Sequence, residues 1–304
     1  MKEIILITGA GGLIARELSK QLKNDYTVRF LTRKKRYGHD FEWDLSKGTL
    51  DEKALEGISH IIHLAGANIS EKRWTDERKK ELISSRIDSA GLLLKSLEQK
   101  RIRLKSFISA SGINYYGTET TEKIFTEEDG PGNDFLSDVV VQWEKAADAF
   151  KKHNIAERVI KFRTAVVLSE KDGALKKMLP TIKMGIGSPL GTGKQYMPWI
   201  HIKDICSMYK FALKNPEMEG AFNAVAPEHT TNKELTEKIA EILKKPLFMP
   251  NVPAFVLKLV FGELSDAVLK GSRASSGKIL ETGFRFEFPD LKKALEDLLK
   301  NNRP

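Results

Sequence analysis

The chain has a single cysteine, Cys206, among 304 residues, so no disulfide can form within it. That fits a reducing compartment, and a cytoplasmic location is expected. No apolar run approaches the ~20 residues that a membrane helix needs. The most apolar late segment, VPAFVLKLVFGELSDAVL, is interrupted by Lys258, Glu263 and Asp266, so no membrane partner is expected. The opening residues, MKEIILITGAGG, read as a strand and a glycine turn and not as a signal peptide. No aromatic-interleaved basic stripe occurs. The net charge of +9 is scattered over pairs such as Lys79-Lys80, Lys151-Lys152 and Lys176-Lys177, which argues for solvated helix faces and against nucleic acid. The six histidines are dispersed, and none joins Cys206 or acids at ligand spacing, so no metal site is expected. Repeats and low-complexity segments are also absent.

What is present is an alternation. Short β-rich runs lie at 3–8, 26–32, 41–44, 60–66, 106–112, 159–168 and 221–226. Longer helical patterns such as IARELSKQL, ERKKELISSRIDSAGLLLKSLEQ and VVVQWEKAADAFKKH separate them. Strands alternating with helices at this spacing predict an α/β fold: a Rossmann-like, doubly wound parallel sheet covered on both faces. The expected organisation is a nucleotide-binding domain over 1–228, with a Gly- and Pro-rich excursion at 170–198, and a smaller C-terminal lobe over 246–298. A substrate site is expected between the two.

The first strand runs into Thr8-Gly9-Ala10-Gly11-Gly12-Leu13-Ile14-Ala15 and then a helix. Glycines there let the backbone turn sharply and approach a pyrophosphate, whose charge the helix N-terminus stabilises. The second strand ends at Leu31-Thr32-Arg33-Lys34, and no acid occurs between Tyr26 and His39. A carboxylate there would bond a ribose 2′-hydroxyl, whereas a guanidinium suits a 2′-phosphate. The expected cofactor is therefore NADP(H). Lys35 and Arg36, which complete the basic run, read as a solvated turn.

These motifs resemble the extended short-chain dehydrogenase/reductase superfamily. Thr8-Gly9-x-x-Gly12-x-x-Ala15 is similar to its fingerprint, Asp44-Leu45 to its adenine-contacting acid, and His63-Leu64-Ala65-Gly66 to the fourth-strand motif whose backbone lines the cofactor. HLAGANIS, SRIDSA, SASGINYYG, WEKAA, FRTAVVLSEKDGALKKMLP, GIGSPLGTGKQYMPWIHIKD and GFRFEFPDL together resemble one subgroup, the "epimerase family" proteins. Those are described as nucleoside-diphosphate-sugar-epimerase-like and carry a small C-terminal domain of unknown function. The resemblance implies NADP contacts at Thr32, Arg33, Leu64, Ala65, Glu81, Arg86 and Arg163. The alternatives are a solvated helix acid for Glu81 and buried structural ion pairs for Arg86 and Arg163.

The superfamily resemblance also implies a Ser or Thr that holds a substrate oxygen, a Tyr that exchanges a proton, and a Lys four residues later that lowers the Tyr pKa. Ser111 is the candidate for the first role. With Glu144 as the guide, the other two positions fall on Leu136 and Val140, and no tyrosine occurs between Tyr116 and Tyr196. The usual proton relay is therefore missing. Tyr116, with Tyr115 beside it, is the candidate replacement; His201 is a more distant one, with a satisfied strand-end histidine as its alternative. Two readings follow: an NADP(H)-dependent oxidoreductase or epimerase-like enzyme acting on an unidentified small molecule, or a non-catalytic NADP(H)-binding sensor or scaffold.

Overall fold

The computed structural model describes residues 2–35 and 38–300. In chain order the elements are β1 (Ile4–Thr8), α1 (Leu13–Leu22), β2 (Thr27–Thr32), β3 (Asp40–Asp44), β4 (Thr49–Leu50), β5 (Ile58–His63), α2 (Asp76–Lys100) and β6 (Ser106–Gly112). There follow β7 (Ile124–Phe125), α3 (Phe135–Lys152), β8 (Val159–Thr164), β9 (Val166–Leu168), α4 (Gly173–Lys183), β10 (Trp199–His201), α5 (Ile202–Lys214) and β11 (Gly220–Ala224). The last are α6 (Asn232–Leu243), α7 (Ala254–Phe261), α8 (Asp266–Leu269), β12 (Arg273–Ala274), α9 (Gly277–Glu281) and α10 (Leu291–Lys300).

Eight strands form one sheet in the order β11-β8-β6-β5-β1-β2-β3-β4. All neighbours are parallel except β3 and β4. The order reverses between β1 and β5, and the carboxyl ends of those strands flank the crevice where such sheets bind ligands. Two apolar clusters cover the faces. One joins α1, α4, α5, α6 and α10 through residues such as Leu18, Leu179, Tyr209, Ile239 and Leu295. The other joins α2 and α3 through Leu93, Leu97 and Phe150, whose ring stacks on Phe107 of β6.

Two strands are shorter than their apolar runs suggest. The run over 159–168 divides at Ala165, whose N–H bonds Ala224 O while the next N–H, of Val166, turns to Pro198 O. β9 thereby leaves the main sheet and pairs with β10. β5 stops at His63 because the N–H groups of Leu64 and Ala65 donate to the Thr8 hydroxyl (3.0 and 3.1 Å) and not to a neighbouring strand. That hydroxyl accepts twice, so its own proton goes to His63 Nδ1, 3.0 Å away. His63 Nε2–H then donates to Ser89 Oγ at 3.2 Å, and Ser89 in turn donates to the carbonyls of Ser85 and Arg86. The chain of donors fixes a neutral Nε2–H tautomer. Complete burial agrees, pushing the ring down to about 4.

The C-terminal segment is stitched to the rest at several points. Residues 173–183 of the expected excursion form α4, so its loop part is 184–198. Gly191 N donates to Val252 O, and Gln195 Nε2 donates to the carbonyls of Leu190 and Val268, which binds that loop to the C-terminal segment. β12 pairs with β7, and α10 packs on α6 within the main cluster. The buried Asp204 carboxylate of α5 accepts from Glu287 N (2.8 Å) and Phe288 N (3.1 Å). Burial raises its pKa, and those two donors partly offset the rise.

Replacing Asp204 by Ala strands two backbone donors, and is expected to cost about 2–4 kcal/mol in urea unfolding. An unchanged urea midpoint would refute this anchor. His63 makes stability depend on pH. Below its ordinary value of 6.5 the unfolded chain takes up a proton that the native ring refuses. Stability therefore falls as pH drops from about 6.5 toward 4, by roughly 3 kcal/mol at the lower end for this group. Urea midpoints at pH 7, 5.5 and 4.5 should fall less steeply for His63→Asn than for the wild type; equal slopes would exclude His63 as a source.

Candidate functional site

The turn after β1 is built by close approach. Gly9 has φ +72°, and a Cβ there would lie 2.7 Å from the Leu64 carbonyl oxygen and 3.0 Å from Ala65 N. Only glycine satisfies both conditions. Gly12 N donates to Gly9 O at 2.8 Å, and α1 starts one residue later, at Leu13. No side chain caps that first turn, and no acid lies in it. The N–H groups of Leu13 and Ile14 therefore belong to a bare helix N-terminus, a site for an anion. The open side of the turn is at Gly11, where an added Cβ would meet nothing within 4 Å.

At the end of β2 the Thr32 hydroxyl donates to Lys34 O. Arg33 is exposed, and no carboxylate among the described residues pairs with it. Lys35 is tied to Asp51 at 2.9 Å, and Arg36 lies outside the described residues. Asp44 closes β3 and serves its own turn: its Oδ1 accepts from Ser46 N, the Ser46 hydroxyl and Lys47 N. The Ser46 hydroxyl is the main reason its carboxyl sits below the usual range.

Beyond β5, Leu64, Ala65 and Gly66 run against the first turn and against α2. A Cβ on Gly66 would stand 3.1 Å from Arg86 Cζ. Arg86 is buried, donates to the carbonyls of Leu82 and Ala67, and stacks over Trp143 at 4.6 Å. No carboxylate among the described residues pairs with it, and its Nε has no partner. The buried ion pair considered for Arg86 is thus absent. Burial and then the like charge of Arg78 push its pKa down to about 10. Glu81 is a half-exposed helix acid bonded to Arg78 at 2.5 Å.

The ends of β6 and β8 carry a second buried polar group. Arg163 makes a two-pronged bond to Glu144, Nε to Oε1 at 2.8 Å and Nη2 to Oε2 at 3.0 Å. Its Nη1 donates to the Tyr116 hydroxyl, which donates onward to Asn223 Oδ1 at 2.8 Å. Its face lies 3.4 Å from the Tyr115 ring centroid. Burial works against the Arg163 charge, but Glu144 outweighs it and raises the pKa. Here the ion-pair alternative is realised.

That network revises the roles expected of Ser111 and Tyr116. The Ser111 hydroxyl turns inward and donates to Glu144 Oε1 at 2.7 Å, so it has no proton to offer a substrate oxygen. Tyr116 is 4% exposed, held at both ends of its hydroxyl, and pushed up to about 12, first by burial. Tyr115 is the partly exposed phenol of the pair, and its hydroxyl makes no hydrogen bond among the described residues. Leu136 and Val140 are buried on α3, with a Val140 methyl 3.3 Å from where a Gly112 Cβ would be. His201 is a buried cap: its Nδ1 accepts from Lys203 N, its ring packs on Phe288, and its Nε2 faces Asp297 at 3.4 Å. Sequence reasoning gave Glu144 and Asn223 no role. Glu144 was detectable as the one acid on the apolar stripe that includes Leu136, Val140 and Ala147.

Residues 5–225 match the NAD dependent epimerase/dehydratase family, and residues 252–298 match a domain of unknown function, DUF1731. The mouse epimerase family protein SDR39U1 is 33% identical over 301 residues, covering 97% of this chain and 99% of the mouse protein. The epimerase family protein YfhF of Bacillus subtilis is 34% identical, covering 98% of this chain and 99% of its own length. The crystal structure of human SDR39U1 (isoform 2) with NADPH matches at TM-score 0.87 and 29% identity, covering 98% of this chain and 99% of the human one. A nucleoside-diphosphate sugar epimerase from Corynebacterium glutamicum matches at TM-score 0.78 and 27% identity, covering 99% of this chain and 59% of that one. The described strand order, the glycine turn and these matches agree: the chain belongs to the NAD dependent epimerase/dehydratase family and carries the DUF1731 extension.

Proposed function

We propose that this protein binds NADP(H) across the β1–β5 crevice and uses it as an oxidoreductase or epimerase-like enzyme, without the usual Tyr-Lys relay. The carrying observation is the bare, acid-free N-terminus of α1 behind a turn that only Gly9 can make. The residues present fit a dinucleotide. The Gly9–Ile14 backbone would hold the pyrophosphate, and unpaired Arg33 would meet the 2′-phosphate. The Leu64–Gly66 backbone, with Arg86 behind it, would line the nicotinamide side. The human relative crystallised with NADPH supports the choice of cofactor. When bound, the nicotinamide supplies a hydride donor or acceptor.

The chain's own part would be to position substrate and move a proton. Tyr115 suits proton transfer, because its ring carries the Arg163 guanidinium and its hydroxyl is unbonded. Glu144 and Tyr116 hold that guanidinium in place. The substrate, a small molecule, would sit between the β6 turn, the 184–198 excursion and the helices after 246. A second reading, a non-catalytic NADP(H) sensor or scaffold, is favoured by the apolar Leu136 and Val140. It holds if NADPH binds but is oxidised by no member of a carbonyl panel.

Thermal-shift titration with NADPH, NADP+ and NADH tests the cofactor assignment. Arg33→Ala should weaken NADPH by about 10–100-fold, the worth of one charge-assisted contact, and leave NADH unchanged. An equal loss for both would refute the 2′-phosphate role. In NADPH oxidation with a carbonyl panel, Tyr115→Phe should cut turnover by about 100-fold or more while NADPH binding persists. Tyr116→Phe should act mainly on stability. The reverse pattern would move the proton-transfer role to Tyr116.

A further inference from the structure

Eight of the nine large hydrophobic side chains exposed among the described residues fall within 184–186 and 248–261. The most prominent are Phe248 at 71%, Phe255 at 71% and Leu259 at 76%. The two stretches adjoin. A Cβ on Gly185 would lie 3.5 Å from Pro246, the Ser188 hydroxyl bonds Pro250 O, and Leu190 bridges to Val252. α7 buries only Leu257. Phe255 and Leu259, four residues apart, form the crest on its opposite side, with Lys258 beside them. A surface helix of a soluble protein ordinarily turns its apolar residues inward, and a contiguous apolar face left outside marks an interaction site.

Within these two stretches the charge has one sign. No Asp or Glu occurs between Asp172 and Asp204, or between Glu241 and Glu263, whereas those two spans hold eight lysines. Lys183, Lys244, Lys245 and Lys258 are exposed, and no carboxylate among the described residues pairs with them. The acids that follow are engaged, Glu263 with Lys79 and Asp266 with Lys270. Protruding aromatic and aliphatic side chains rimmed by unpaired lysines are the pattern of a surface that lies in a bilayer interface. A second copy is a poor occupant, because it would set lysine-bearing stretches with no acid of their own against one another.

We infer that the 184–186 and 248–261 face seats this protein on an anionic lipid bilayer, with Phe248, Phe255 and Leu259 entering the interface and the four lysines meeting headgroups. No helix among the described residues is long and apolar enough to cross a membrane, so the attachment is peripheral. The lack of a spanning segment, which led the sequence to predict no membrane partner, excludes a span and not a seat of this kind.

Co-sedimentation of the full chain with vesicles tests it. Binding is expected to vesicles containing phosphatidylglycerol, at least about 10-fold weaker binding to phosphatidylcholine alone, and release by high salt. Phe255→Glu with Leu259→Glu should abolish binding while the circular dichroism and urea midpoint stay at wild-type values. Lys244→Gln with Lys245→Gln and Lys258→Gln should remove the preference for anionic lipid. Wild-type protein left in the supernatant with anionic vesicles would overturn the proposal. So would wild-type binding by the double glutamate variant. A dimer in sedimentation velocity that this variant dissolves would assign the face to a second copy instead.

Discussion

A single hydroxyl fastens the crevice on which the rest of the molecule is organised. Thr8 Oγ1 receives the N–H groups of Leu64 and Ala65 and gives its own proton to His63. It thereby ends β5, draws the Leu64 carbonyl against Gly9, and sets the start of α1. A side chain at residue 9 would collide with the Leu64 carbonyl, and an apolar one at residue 8 would leave the Leu64 and Ala65 N–H groups without their acceptor, at the point where the sheet order reverses. The histidine that completes the tie is neutral because it is fully buried, and its tautomer is dictated by a donor at Nδ1 and an acceptor at Nε2. The rigid turn and its bare helix N-terminus are consequences of that arrangement.

A second buried polar group stands one strand further along, and it changes the meaning of several site residues. Glu144 and Arg163 neutralise one another in a place where an isolated charge would be costly. In doing so they recruit the hydroxyls of Ser111 and Tyr116. The apolar Leu136 and Val140 pack nearby, where a hydroxyl and an ammonium would otherwise need solvent or partners. This leaves Tyr115 as the phenol with an accessible hydroxyl and a cation on its ring. In the proposed chemistry, an arginine held by its neighbours takes the place of a lysine one helical turn from a tyrosine.

The C-terminal extension has two characters. From β12 onward it is bound into the main core through α10 and the Asp204 carboxylate. The part around α7 buries little and exposes its apolar crest next to unpaired lysines. Hydrogen bonds from Gly191 and Gln195 join that part to the excursion that walls the proposed substrate site. Whatever engages the crest is therefore mechanically continuous with that wall.

The sequence by itself determined the sheet, the turn and the position of the cation that ends β2. Those depend on features a few residues apart: alternating strand and helix patterns, glycines after a first strand, a guanidinium with no acid near it. It also determined that no tyrosine lies between Tyr116 and Tyr196. Only the tertiary structure decided which polar side chains face the crevice and which are tied up beneath it. Tyr116 meets Asn223 across 107 residues, and Ser111 meets Glu144 across 33. Arg163 found a carboxylate and Arg86 did not, although a buried ion pair was the open alternative for both. A hydrogen bond is set by distance and direction between groups that the fold brings together. Local pattern carries no record of those distances.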